Sequence, residues 1–256
     1  MKKFIKNLLG FIKRFTHIVS LIRWVNFGVR KFSALTHRFQ FLVEWSIDNP
    51  EYFDHSIDLY SSWHRSRESF PLERGVFSSF AMSPNSNVLD LCCGDGFNSY
   101  FFYSLRAASV TAIDFDREAI RWAKRNYKAK NLIFGVGDIR TDIPEGPFDN
   151  IVWDAAVEHF TESEIGSIME RIKTVLIPNG TLSGYTIVEP AHGSKHLHQH
   201  EYEFHSKDDL GRFLSPHFKN FHIFETIFPS RTNLYFYATD GPLPFEQISS
   251  LYSKRL

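Results

Sequence analysis

The ten residues 88–97, VLDLCCGDGF, constrain this chain more than any other stretch. An apolar run ends in Asp90, small residues and two glycines (Gly94 and Gly96) follow, and a helix-like segment, NSYFFYSLRAA, comes next. The pattern is a strand, a tight turn and the start of a helix. Glycine lacks Cβ and accepts φ > 0, so such a turn lets backbone approach a ligand closely. The helix start aims N–H groups at the same place. A nucleotide-like cofactor is the ligand implied. Gly-x-Gly after a strand also opens dinucleotide sites, which add a third glycine or alanine. Here that position is Ser99, and a plain strand-to-helix turn is the competing explanation, so the downstream chain has to decide.

Charge is divided unevenly. The 256 residues sum to zero, yet residues 1–43 hold nine Lys/Arg and no acid, while the remainder holds the other 20 bases and all 29 acids. An acidic body argues against nucleic acid as a partner, because phosphates require bases. The length accommodates one sizeable domain with an appendage. The two cysteines, Cys92 and Cys93, are adjacent inside the glycine turn. Neighbours of that kind do not staple a fold, and a reducing, cytoplasmic setting is expected.

The basic head places apolar residues at 4, 8, 11, 15, 18, 22, 25, 29 and 32, in steps of four and three that match the helical period. No long uncharged apolar run occurs, so neither a membrane span nor a secretory leader is expected. A basic amphipathic helix reads as a peripheral membrane-surface element or as a helix docked on the chain's own body or on a second subunit. The organisation expected is a helical extension over 1–48, an aromatic-rich helical lid or cap over 49–84, and a cofactor-binding domain over 85–256.

From Val88 onward strands and helices alternate. Strands are expected at 88–93, 109–114, 132–136, 148–154 and 181–188, then as a closing antiparallel pair over 218–228 and 234–238. Asp116, the capping box Thr161-x-x-Glu164, and Ser206-x-x-Asp209 mark helix starts. Pro178-Asn179-Gly180 reads as a turn, and Pro71 opens a helix running to about residue 82. The fold class is therefore α/β: a Rossmann-like, mainly parallel seven-stranded sheet with helices on both faces, an antiparallel last strand and an N-terminal helical extension. In such sheets ligands sit beyond the carboxyl ends of the strands. Asp90, Asp114, Asp138 and Asp154 all fall at such ends, and Asp114 lies 20 residues past Gly94, where an acid binds ribose hydroxyls.

With these pieces assembled, residues 85–240 resemble a class I S-adenosylmethionine-dependent methyltransferase of the small-molecule type. VLDLCCGDG, AIDFD, GDI, FDNIVWDAAVEHF and IKTVLIPNGTLSGYTI resemble the successive motifs of that family. The resemblance implies S-adenosylmethionine as cofactor. It implies that Asp90, Gly94 and Gly96 hold its methionine part, that Asp114 binds the ribose, and that Asp138 accepts from the adenine amino group while the Ile139 N–H meets the ring. The family usually has glycine where Cys92 stands, so an altered turn is expected. Packing, rather than a nucleophilic role, is expected of both cysteines.

The acceptor is less constrained. Transfer to a hydroxyl needs a group that takes its proton, and histidine suits that near neutral pH. The candidates are His159, Asp154 and His200, with helix capping the alternative for Asp154 and a structural role the alternative for His159. His196, His198 and His200 alternate and would share one face of an extended chain. That invites a metal reading, but an acceptor wall without metal is the reading adopted. Tyr52, Tyr60, Trp63, His64 and Arg67 form the natural lid, unless they pack N-terminal helices on the sheet. No Asn/Asp-Pro-Pro-aromatic motif follows the fourth strand, which argues against the adenine or glutamine nitrogen acceptors of the family. The expectation is O-methylation of a small molecule, a lipid-linked intermediate or a glycan. N-methylation of a small amine or protein side chain, and a non-catalytic cofactor-binding membrane-recruitment protein, are the rivals.

Overall fold

A computed structural model of the chain describes residues 2–13, 16–44, 55, 59–60, 63, 67–188 and 200–244. The chain divides into two compact units, Met1–Pro50 with Ser56–Arg67, and Glu51–His55 with Glu68–Leu256. The first contains α1 (Lys2–Lys13) and α2 (Thr16–Glu44). Their large apolar side chains are largely exposed, Phe4, Leu9, Trp24 and Phe32 among them. Within this unit His37 stacks on Tyr60, and the Arg67 guanidinium lies over the Trp63 ring.

The second unit is built on seven strands: β1 (Asn87–Leu91), β2 (Ser109–Asp114), β3 (Leu132–Val136), β4 (Phe148–Asp154), β5 (Leu176–Val188), β6 (Asn220–Ile227) and β7 (Thr232–Thr239). Their order is β3-β2-β1-β4-β5-β7-β6. The first five are mutually parallel, and β7 inserts antiparallel to both β5 and β6. The fold class is the one expected from the sequence, including the closing hairpin. Strand order reverses between β1 and β4, which creates the crevice in which such sheets bind ligands.

Helices cover both faces, so the central strands read as continuous apolar runs. Leu89, Leu91, Ile151 and Trp153 meet α6 (Glu162–Val175) through Ile165, Ile168, Met169 and Ile172. Also on that core is α7 (Lys207–Leu214), through Leu210, Phe213 and Leu214. On β2 and β3, α5 (Arg117–Asn126) packs Ile120 and Ala123 against Ala112 and Phe134. All three expected N-caps form. Asp116 accepts from the N–H groups of Glu118 and Ala119, Thr161 and Glu164 close a capping box, and Ser206 accepts from Asp209.

Two local differences have physical causes. The Pro178-Asn179-Gly180 turn lies within the span of β5 as an irregularity, where pairing with β4 jumps from Phe148↔Leu176 to Asn150↔Thr181 and Asn179 takes φ 63°. The helix expected after the glycine turn is a single short turn, α4 (Phe97–Phe101), followed by a 3₁₀ turn over Tyr103–Leu105. Its chain leaves helical geometry at Phe102, where φ is −124°.

The helix opened by Pro71 is α3 (Phe70–Ser79), with the proline in its first turn. It lies on the β5–β7–β6 face. Phe77 packs edge-on against Phe224 and Tyr235, at 5.1 and 4.7 Å between ring centres. The carboxylate of Glu73 accepts from Thr226 at 3.0 Å and from the Tyr235 hydroxyl at 3.2 Å. This docking fixes where the next side chain, Arg74, can reach.

Candidate active site

The turn after β1 has the backbone that its glycines suggested. Gly94 and Gly96 take φ 54° and 77°, and a Cβ on Gly96 would lie 2.5 Å from the Phe134 ring. Cys92 also sits in the left-handed region, at φ 58°. An L-residue there costs about 1–2 kcal/mol, a cost that a glycine would avoid. The cysteine is accommodated in that conformation. Burial first, and the charges of Asp114 and Asp90 next, push both thiols well above their ordinary range. Neither thiol is poised as a thiolate nucleophile.

Three of the four strand-end acids converge on this turn. Asp90, 3% exposed, accepts a short hydrogen bond from the Ser99 hydroxyl. Burial raises its pKa to about 7, against the lowering by Ser99. Asp114 ends β2 and accepts from the Gly94 N–H at 2.8 Å and from the Asp116 N–H at 2.9 Å. Its carboxylate therefore already holds the glycine turn in place. Asp154 ends β4 beside β1. Its Oδ2 accepts from Arg74 Nε at 2.8 Å and from Asn98 Nδ2 at 3.2 Å. Burial works against the Arg74 charge, but Asp154 more than offsets it and raises the guanidinium pKa further.

Two acceptors in this buried corner, Asp154 Oδ1 and Asn98 Oδ1, have no hydrogen-bond partner among the described residues. Buried polar atoms without partners are costly. A ligand bearing an ammonium group, with three N–H donors, would satisfy both and would complement Asp90. That donor requirement is one the methionine end of S-adenosylmethionine meets.

Asp138 is differently placed. It is half-buried and forms a fork with Arg140, whose Nη2 donates to Oδ2 at 2.7 Å. Those hydrogen bonds lower its pKa below the usual carboxylate range. Ile139 is 2% exposed and belongs to the sheet core, while its carbonyl accepts from Arg171.

The histidines expected at the acceptor end do meet. The 3₁₀ turn after β4, Val157–His159, presents Glu158 and His159. The N–H groups of Glu201 and Tyr202 donate to the Glu158 carbonyl at 2.9 and 3.1 Å, which brings in His200. The His159 and His200 rings meet edge to face, 5.1 Å between centres. Glu158 is buried and accepts from Thr186 on β5 at 3.0 Å. Of the other expected acceptor-end residues, Tyr52, His64, His196 and His198 lie outside the described residues. Tyr60, Trp63 and Arg67 belong to the first unit.

Several residues of this site carry no signal in the sequence alone. Arg74 is 80 positions from Asp154, and only the docking of α3 joins them. His55 donates its backbone N–H to Asp95 at 2.9 Å and pairs Nδ1 with the same carboxylate at 2.7 Å, from 40 positions away. Asn98 reads as an ordinary helix residue. Glu158 alone had a readable cue, since it precedes His159 directly.

A family described as "Methyltransferase domain" matches residues 88–180. The uncharacterized methyltransferase sll0829 of Synechocystis sp. is 30% identical over 115 residues, 44% of this chain. The chain spans about half the length of that curated relative, 52%. Among solved structures, the DhpI–SAH complex superposes with a TM-score of 0.57 at 17% identity, covering 84% of this chain and 98% of that one. A protein of Pyrococcus horikoshii OT3 gives 0.53 at 20% identity, covering 77% and 98%. A SAM-dependent methyltransferase of Methanosarcina mazei gives 0.50 at 18%, covering 62% and 94%. At these identities the structural likenesses speak for the fold, and the matched family speaks for the domain. Residues 88–180 match the methyltransferase-domain family, on a fold shared with S-adenosylmethionine-dependent methyltransferases.

Proposed function

We propose that this chain methylates a hydroxyl of a small molecule, a lipid-linked intermediate or a glycan. The observation that carries the hydroxyl reading is the meeting of His159, His200 and the buried Glu158 just past β4. An amine acceptor needs only to be presented neutral, whereas a hydroxyl must also give up its proton, and imidazole takes protons near neutral pH. In this reading half-buried His159 receives the acceptor proton on a ring nitrogen, while buried His200 and Glu158 orient it. Asp154, whose Oδ2 already accepts from Arg74 and Asn98, is assigned to orientation.

S-adenosylmethionine supplies a methyl group on a sulfonium sulfur, and the C–S bond breaks as the bond to the acceptor oxygen forms. Asp90, Gly94 and Gly96 would hold its methionine part, with Asp154 Oδ1 and Asn98 Oδ1 as further acceptors. Asp114 would bind the ribose hydroxyls from the end of β2, beside the glycine turn that it holds. Asp138 and the Ile139 N–H would meet the adenine once Arg140, half exposed, swings from the Asp138 carboxylate.

The same proposal puts the chain at the cytoplasmic face of a membrane. No described helix is long and apolar enough to cross one. The nine bases of residues 1–43, with no acid among them, complement anionic lipid instead, and exposed apolar side chains accompany them.

Calorimetry with S-adenosylmethionine tests the donor half. Wild type should bind, and Asp114→Ala should lose binding. Absence of binding in wild type overturns the proposal. Methyl-labelled donor incubated with lipid, glycan and small-molecule fractions then identifies the acceptor. A rate that falls as a base is protonated supports a hydroxyl, and a rate that instead follows the acceptor amine's own ionisation points to N-methylation.

A further inference from the structure

We propose that Glu158, His159 and His200 form a site for a divalent transition-metal cation of the zinc type. The consequence for methyl transfer rests on the hydroxyl-methylation reading; the site itself does not. One potential ligand atom from each residue lies within 4.8 Å of the other two. Neighbouring ligand atoms around a tetrahedral zinc, with bonds of about 2 Å, stand roughly 3.3 Å apart. Side-chain shifts of about 1 Å therefore close the set on an ion. Two imidazoles and one carboxylate suit zinc, cobalt and their neighbours, whereas calcium and magnesium call for oxygen-rich shells.

The backbone already joins the three ligands. Glu158 and His159 are consecutive on one 3₁₀ turn. The segment with His200 is tied to that turn by the Glu201 and Tyr202 N–H groups on the Glu158 carbonyl, at 2.9 and 3.1 Å. Outer-shell support is also present. Thr186 donates to Glu158 Oε2 at 3.0 Å, which orients the carboxylate in the way outer-shell donors orient metal ligands. Glu158 and His200 are 5% and 2% exposed. A carboxylate buried to that degree is stabilised by a cation beside it.

This set differs from the alternating His196–His198–His200 pattern of the sequence, since only the last of those belongs to it. Three protein ligands leave one position open, as in catalytic rather than structural zinc sites. A hydroxyl entering that position would become more acidic. With His159 serving as a ligand, water in place of that imidazole would take the proton as the O–H bond breaks, and the acceptor oxygen would form its bond to the methyl group as the donor's C–S bond breaks.

The test uses the full chain, stripped with chelator, desalted and titrated with Co²⁺ while visible absorption is followed. One equivalent should bind and be displaced by Zn²⁺. Glu158→Gln, His159→Ala and His200→Ala should each weaken uptake by more than about tenfold, since removing even an outer-shell partner costs that much. His222→Ala, on β6, should match wild type. Circular dichroism reports whether each variant folds, and His159→Ala, at the half-buried position, remains informative if the variants at buried positions fail. No uptake by wild type, or uptake that folded His159→Ala leaves unchanged, overturns the metal site. Calorimetry with S-adenosylmethionine on the same samples separates the two readings. Donor binding without Co²⁺ uptake removes only the metal, and Co²⁺ uptake without donor binding supports the metal site while removing the methyltransferase reading.

Discussion

Asp90 couples the donor site to pH. Burial holds its pKa at about 7, so between the ordinary carboxylate range and pH 7 the folded chain keeps a proton that the unfolded chain releases. The sign follows: the folded state is favoured at the acidic end of that window, and the contribution is lost as pH rises through it. A bound ammonium reverses the preference, because it favours the ionised carboxylate. Donor affinity should therefore be about tenfold weaker at pH 6 than at pH 8, the effect of one coupled proton with its midpoint near 7. Calorimetry across that range checks this, and Asp90→Asn should flatten the dependence. An affinity in wild type that is level from pH 6 to 8 would remove Asp90 from the ammonium site.

At the scale of elements, α3 sets the state of Asp154. Its Glu73 and Phe77 contacts to β6 and β7 deliver Arg74 to a carboxylate only 5% exposed. Replacing Arg74 by Met would strand that charge, at a cost of about 3–5 kcal/mol. Urea unfolding should show the loss, and Arg74→Met combined with Asp154→Leu should recover most of it, since the pair leaves together. If the single variant unfolds at the wild-type midpoint, the ion pair contributes nothing. The same contrast explains what was legible in the sequence. Caps are local, so Asp116, Thr161 with Glu164, and Ser206 announced α5, α6 and α7 correctly. Strand periodicity and strand-end acids revealed the parallel sheet and placed Asp90, Asp114 and Asp154. The partners of those acids were hidden, because Arg74 and His55 reach them only through tertiary docking over 80 and 40 positions. The bulge at Asn179 was hidden for a related reason: a Pro-Asn-Gly triplet specifies a local reversal of the backbone but not whether pairing continues across it.

Across the whole molecule, charge and apolar exposure are divided between the two units. The second carries the sheet and the strand-end acids, while α1 and α2 carry bases interleaved with exposed Phe, Leu and Trp side chains. Each base near an anionic lipid surface contributes about 1 kcal/mol, an attraction that salt screens within a Debye length. Full-length protein should therefore sediment with phosphatidylserine-containing vesicles at low salt, sediment less with purely phosphatidylcholine vesicles, and be released as salt rises. Lys3→Glu, Lys6→Glu and Arg23→Glu together should shift the release to markedly lower salt. Donor affinity should stay unchanged in that variant, since the acids proposed to hold the donor all belong to the second unit. Vesicle binding that ignores both salt and charge reversal would rule out electrostatic docking. Self-association of the full chain in its place, seen by sedimentation, would assign the exposed apolar side chains to a second copy.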